Sequence, residues 1–91
     1  MAKIQLIGPL EQEVGISEVY YDGETIRDAI EQFIKDYKHK LKKFIDPKTG
    51  FLNKYLMILV NTKNVLFLEK KLDTKLEPED HIIIALPIGG G

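Results

Sequence analysis

The sequence contains no cysteine and no tryptophan, and neither sign of charge dominates it. Without cysteine the chain forms no disulfide, no thiolate metal site and no cysteine nucleophile. Its 13 basic and 14 acidic side chains give a net charge of −1, whereas a general nucleic-acid binder carries a strong basic excess. No apolar run approaches the roughly 20 residues that span a bilayer. These absences predict a cytoplasmic protein that binds neither nucleic acid nor membrane.

Motifs for nucleotide binding and catalysis are also missing. Neither of the glycine-rich phosphate-binding motifs, G-x-x-x-x-G-K and G-x-G-x-x-G, occurs in the chain. His39 and His81 are far apart in sequence and have no metal-ligand spacing around them. Acidic pairs such as Glu77 and Glu79 have no nucleophile beside them. We therefore expect no metal site, no cofactor bound by this chain and no catalytic residue.

Hydrophobic patterning divides the chain into strands and one main helix. Alternating or β-branched runs predict strands at residues 3–6, 16–21, 55–60, 65–67 and 82–86, with a tight turn at 61–64. The last run is apolar without interruption, which predicts a central strand. Because neighbouring strand residues face opposite sides, one of Tyr20 and Tyr21 is expected in the core and the other on the surface.

The helix is predicted from a second period in the same pattern. Apolar residues recur at helical spacing from Ile26 to Leu41. Thr25 and Asp28 form a start that resembles a capping box, and the loop at 46–50 ends the helix by about Phe44. One main helix on one face of a mixed sheet of four to five strands is an α+β roll.

Three consecutive glycines, Gly89, Gly90 and Gly91, follow the last strand and Pro87. One interpretation is a frayed terminus without function. The other is that a tail without Cβ atoms threads a narrow active site, where the group offered for reaction is the α-carboxylate of Gly91. That carboxylate is ionised at neutral pH and is a poor electrophile, so another protein must activate it. We predict a domain at 1–88 and a flexible tail at 89–91.

Short motifs in a fixed order connect this chain to a known family. They are Gly8-Pro9-Leu10, Gly23-Glu24-Thr25-Ile26, Leu59-Val60-Asn61, Thr74-Lys75-Leu76 and the ending Ala85-Leu86-Pro87-Ile88-Gly89-Gly90-Gly91. The order resembles the ubiquitin-like β-grasp sulfur carriers: the small subunit of molybdopterin synthase (MoaD-like), the thiamin sulfur carrier (ThiS-like) and archaeal small modifier proteins. Two features depart from the family. Glu79-Asp80 stands where a Gly-Asp pair is usual, and the 44–54 connection is longer than in the thiamin carrier. Total length disfavours that carrier and leaves the molybdopterin and modifier branches open.

The resemblance implies a function for the tail. In that family an adenylyltransferase of the ubiquitin-activating type uses ATP and magnesium to adenylate the terminal glycine. The adenylate is converted to a thiocarboxylate that donates sulfur. Gly91 is then the modified residue, and Gly89 and Gly90 are its flexible arm. The expected pathway is molybdopterin (molybdenum cofactor) biosynthesis, with the molybdopterin synthase large subunit or another sulfur acceptor enzyme as partner.

Two other functions remain open for a chain with this fold. The same activated carboxyl group serves a protein modifier that is conjugated to target-protein lysines. A β-grasp interaction module without any tail chemistry is the remaining alternative. The resemblance implies a carrier or substrate protein and not an enzyme, for instance the non-catalytic small subunit of molybdopterin synthase.

Four apolar residues are candidates for a partner-docking patch. The strand pattern directs Ile7, Met57, Leu59 and Ile83 away from the face that the helix covers. The family uses that open face for its activating enzyme and its synthase partner. The alternative is that a loop covers these side chains, or that they are ordinary scattered surface apolar residues.

Overall fold

The computed structural model describes residues 1–87, and Ile88 with the three glycines lies outside the described part. The elements are β1 (Ala2–Leu6), α1 (Pro9–Val14), β2 (Glu18–Tyr21), α2 (Ile26–Asp36), β3 (Met57–Val60), β4 (Lys63–Asn64) and β5 (His81–Ala85), with 3-10 turns at Lys42–Phe44, Val65–Phe67 and Lys71–Asp73. The five strands form one sheet in the order β2-β1-β5-β3-β4. Only β1 and β5 are parallel. The predicted α+β roll, with the last strand at the centre of the sheet, is confirmed. None of the helices within residues 1–87 has the length and apolar character to cross a membrane.

The core forms where one face of the sheet meets α2. Along β5, Ile82 and Ile84 are completely buried, and they pair in register with Ile4 of β1 and Ile58 of β3. The opposing helix buries Ile26, Ala29, Ile30 and Phe33, which recur at the spacing of one helical face. Each large side chain buried in this way contributes about 1.5–3 kcal/mol. The strand period of 2 residues and the helix period of 3.6 residues therefore direct apolar side chains into the same core.

The start of α2 is fixed by the capping box that the sequence predicts. Thr25 Oγ1 accepts the Asp28 N–H at 3.2 Å, and Asp28 Oδ2 accepts the backbone N–H groups of Thr25 at 3.1 Å and of Glu24 at 3.0 Å. Gly23 lies against this cap, since a Cβ there would stand 2.8 Å from the Asp28 Cβ. Asp28 thus satisfies the backbone donors of the N-cap residue and of the residue before it, as in a capping box.

We expect Asp28→Ala to lower the free energy of unfolding by about 1–2 kcal/mol, because two backbone donors lose their acceptor. Urea unfolding measures this change. Glu31→Ala, an exposed position on the same helix, is the control and should change stability by no more than about 0.5 kcal/mol. Equal effects at the two positions would show that the cap adds nothing.

Two helical segments differ from the sequence prediction. The sequence predicts one main helix and none directly after the first strand, but Pro9 begins α1, which buries Leu10 and Val14 and is capped by Gly15 with φ 85°. Proline suits the first helical turn because it needs no N–H partner there. The main helix is shorter than predicted and ends at Asp36. Leu41 remains fully buried, in the turns that follow α2.

The segment after the helix also differs from the prediction. β3 begins at Met57 instead of residue 55. The tight turn consists of Asn61 and Thr62 alone, with φ 51° and 74°. Two successive residues with positive φ are typical of a two-residue hairpin turn. The prediction of a short strand at 65–67 was wrong, because the strand β4 is Lys63–Asn64 and Val65–Phe67 is a 3-10 turn. Asn64 Oδ1 starts that turn by accepting the Leu66 N–H at 2.9 Å.

The polar turn before β5 is built by side chains. Asp80 accepts the Glu77 N–H at 2.8 Å and the Asn61 Nδ2 at 2.8 Å, while Asn61 Oδ1 accepts the His81 N–H at 2.9 Å. Glu79 is absent from the positive-φ residues of the described chain. The turn therefore does not need glycine at position 79, where the family usually has one.

Tyr21 is in the core and Tyr20 is on the surface, as the alternation of strand residues predicts. Tyr21 is buried and its hydroxyl donates to Asp36 Oδ2 at 2.8 Å, which ties β2 to the end of α2. Burial and this hydrogen bond raise the pKa of Tyr21 well above its ordinary value. Tyr20 is exposed on the other face.

Candidate functional site

The site begins where the chain leaves the central strand. Ala85, the last residue of β5, is paired with Met57 at the start of β3. On the other side β1 ends at Leu6, which lies beside Ile84, and exposed Ile7 follows. Any segment that continues from β5 therefore departs between the end of β1 and the start of β3.

The open face of the sheet, opposite α2, is apolar beside this point. Leu59 and Ile83 are partners in register, so their side chains share one face, and both are partly exposed. Met57 lies two residues before Leu59 on the same face and is also partly exposed. Ile7, just beyond β1, is 39% exposed. The structure thus brings Met57, Leu59 and Ile83 together on the open face and places Ile7 at its end.

The rest of the open face is polar. Gln5 is the register partner of Ile83 on the β1 side, and its Oε1 lies 2.6 Å from His81 Nε2. At the β2 edge, Glu18 accepts the Tyr20 hydroxyl at 3.2 Å and lies 3.8 Å from Lys3 Nζ. The open face is therefore divided between an apolar half, formed by Met57, Leu59 and Ile83 of β3 and β5, and a polar half on β1 and β2 that His81 at the start of β5 joins.

Two strongly exposed apolar residues were missed by the sequence prediction. Leu66 and Phe67 are 64% and 76% exposed, more than any of the four predicted docking residues. The prediction placed them in a strand, where alternation would bury one of two neighbours. In the 3-10 turn only Val65 points into the core. Their apolar character was visible in the sequence, but their exposure depended on the turn.

The predicted reactive residue and its arm lie outside the described residues. Gly91, Gly89 and Gly90 stay predictions on that account, as does the boundary between a domain at 1–88 and a tail at 89–91. Within residues 1–87, no three histidine, cysteine, aspartate or glutamate side chains come together in a group that could hold a metal ion.

A five-stranded mixed sheet, with the parallel pair β1 and β5 at its centre and one main helix across one face, defines the class of ubiquitin-like β-grasp proteins. The ThiS family matches residues 4–91. The chain belongs to this family of ubiquitin-like sulfur carriers, which confirms the resemblance inferred from the motifs.

Solved structures agree with the family. Small archaeal modifier protein 1 from Methanosarcina acetivorans superposes with a TM-score of 0.81 at 30% identity, covering 99% of this chain and 95% of that one. CysO in the BexX/CysO complex of Amycolatopsis orientalis gives a TM-score of 0.75 at 17% identity, with both chains fully covered. A protein assigned as molybdopterin converting factor subunit 1 from Pyrococcus furiosus gives 0.67 at 22% identity, covering 96% and 97%. The last two show likeness of fold alone. No curated protein sequence matches the chain.

Proposed function

We propose that this protein is a sulfur carrier whose terminal Gly91 is activated and loaded by partner enzymes. Membership of the ThiS family is the observation that carries the proposal. An activating enzyme joins the Gly91 carboxylate to the α-phosphate of ATP, and pyrophosphate leaves. A sulfide equivalent from a sulfur donor then attacks the acyl carbon, AMP leaves, and a thiocarboxylate remains. ATP and magnesium belong to the activating enzyme in this scheme.

The described geometry supports a docking role for the open face in this proposal. The apolar half, with Met57, Leu59 and Ile83, lies next to the point where the chain leaves β5. A partner that covers this half is well placed to receive residues that follow Pro87. Apolar surface that is rimmed by polar groups is typical of protein–protein contacts, and Gln5 with His81 supplies such a rim.

The finer assignment is to molybdopterin biosynthesis, with the large subunit of molybdopterin synthase as the sulfur acceptor. It is supported by the chain length, which disfavours the thiamin carrier, and by the shared fold of the Pyrococcus furiosus protein. Transfer of sulfur from the loaded carrier to a molybdopterin precursor, in the presence of a synthase large subunit, tests this assignment. Transfer only to another acceptor would leave the carrier role intact and exclude this pathway.

A second function is favoured by the 30% identity to an archaeal modifier protein over nearly the whole chain. In this function a lysine amine, in place of sulfide, attacks the activated Gly91 carbonyl and forms an isopeptide bond. The chemistry up to the adenylate is the same for both functions, so only the nucleophile distinguishes them.

Intact-mass analysis separates these possibilities. The full chain is incubated with its activating enzyme, ATP, magnesium and a sulfur donor. We expect a mass increase equal to replacing one oxygen by sulfur. Lysine-linked adducts that retain glycine after digestion would favour the modifier function. A chain that stays unmodified under conditions that load a known carrier would contradict both functions and leave an interaction module without tail chemistry.

A further inference from the structure

The two edges of the sheet differ in how well they are protected from pairing with another strand. β4, at one edge, has only two residues and carries Lys63. β2, at the other edge, reads Glu-Val-Tyr-Tyr, and no strand of the described chain pairs with its outer side. Short length, lysine, proline and bulges are the usual protections of an edge strand. Apart from the charge of Glu18, β2 has a strand-forming sequence without them.

The register shows which backbone groups of β2 face outward. The Leu6 N–H donates to the Ser17 carbonyl at 2.8 Å, so this pair belongs to the hydrogen-bonded set of the antiparallel ladder. Bonded and non-bonded pairs alternate, and Val19 is the next residue of β2 to bond β1. Glu18 and Tyr20 therefore turn their N–H and C=O groups toward the open edge. Both residues are exposed.

The side chains of β2 are complementary to a second copy of the same strand. Antiparallel pairing centred on Val19 places Glu18 of one copy opposite Tyr20 of the other, and their outward groups form about four hydrogen bonds. The Tyr20 hydroxyl, which donates to Glu18 of its own chain at 3.2 Å, then has a second carboxylate directly opposite. A register centred on Glu18 would oppose two like charges, which is unfavourable.

Val19 adds an apolar contact at the centre of the same register. It is partly buried and packs against the core from the edge of the sheet. In the paired arrangement the two Val19 side chains face each other across the symmetry axis, on the face that α2 covers. Directly opposed β-branched residues stabilise strand pairs.

We propose that β2 is a self-association edge, through which two copies of this chain pair antiparallel and join their sheets into one. The contact is isologous, as in most homodimers. With about four backbone hydrogen bonds and few side chains, it belongs to the weak class that buries less than about 1,200 Å². The dimer therefore forms reversibly with concentration. The apolar half of the open face lies on β5 and β3, separated from β2 by β1, and it stays free in this dimer. The proposal therefore stands independently of the sulfur-carrier function.

A dilution series of the full chain tests the proposal, with sedimentation and NMR measurements from roughly 0.01 to 1 mM. We expect the average mass to rise from monomer toward dimer. Amide shifts that change with concentration should cluster at 18–21. A monomeric mass throughout the series would overturn the proposal, and so would shifts that cluster elsewhere.

Proline at position 20 provides the matched variant. Tyr20→Pro removes an outward N–H and no bond of the β1–β2 ladder, so it should weaken self-association by at least about tenfold. Tyr20→Thr keeps the N–H and should stay within a few-fold of the natural chain. Slow amide exchange at Leu6 and Val19 reports that β2 is still paired. If Tyr20→Pro keeps that protection and dimerises unchanged, the proposal is wrong. If Tyr20→Pro fails to fold, the proposal is judged by whether the concentration-dependent amide shifts of the natural chain cluster at 18–21.

Discussion

One alanine added after Gly91 should abolish loading of the carrier. The reacting group in the proposed function is the carboxylate of Gly91, and the extension converts it to an amide while moving the new carboxylate away by one residue. Active sites require the reacting atoms within a fraction of an ångström, and a misplacement of 1 Å can cost about 100-fold in rate. We expect adenylate formation, measured by pyrophosphate release, to fall by at least about 100-fold.

The extended chain should unfold at nearly the same temperature as the natural chain. The change lies beyond the buried last strand, and surface changes away from packed groups alter stability by no more than about 0.5 kcal/mol. Gly91→Ala without extension is the companion variant, because it keeps a terminal carboxylate and adds only a Cβ. If the extended protein is loaded without first being trimmed, the terminal carboxylate is not the reactive group and the proposed function is wrong.

Leu59→Arg should weaken binding to the activating enzyme by about 2 kcal/mol, or roughly 30-fold in Kd. Leu59 lies in the apolar half of the open face, opposite Ile83. A guanidinium placed under a partner there must lose water without gaining an acceptor. Because Leu59 is partly exposed and faces away from the α2 core, the free energy of unfolding should fall by less than about 1 kcal/mol. Calorimetric titration and urea unfolding measure the two effects separately.

Tyr20→Arg is the matched control for this variant. It adds the same charge to the same face, at the polar half beside Lys3 and Glu18, and keeps all backbone groups. We expect binding to the activating enzyme within about threefold of the natural chain. Equal losses for the two variants would mean that added charge alone weakens binding. If Leu59→Arg binds the activating enzyme as tightly as the natural chain does, the apolar half is not part of the docking surface.

Local sequence patterns predicted which face of the main helix is buried and which strand is central. The helical period from Ile26 to Leu41 predicted the face on which Ile30 and Phe33 are buried, and the uninterrupted apolar run at 82–86 predicted the central strand. The capping box was predicted because its two members stand three residues apart in the sequence. These features depend on neighbours within one or two turns of chain, and the sequence contains all of that information.

Errors occurred where an apolar run can be satisfied in more than one way. Residues 65–67 fit a short strand by composition, yet only Val65 is buried, and the Asn64 side chain starts a 3-10 turn instead. Leu41 was counted as part of the main helix because of its spacing, although it is buried from the turns that follow α2. Periodicity reports which side chains are buried, but it does not report which backbone conformation buries them.

The sequence by itself determined that the chain has no cysteine and neither glycine-rich phosphate-binding motif, and that three glycines follow its last strand. It also determined the family, through motifs spread over the whole chain. Only the tertiary structure decided that the chain leaves β5 between β1 and β3, that an apolar half of the open face adjoins this point, and that β2 is the unprotected edge. The physical reason is that composition and period are local properties. Strand order and register arise from pairing between segments up to about 80 residues apart, and they are fixed only when the whole core packs.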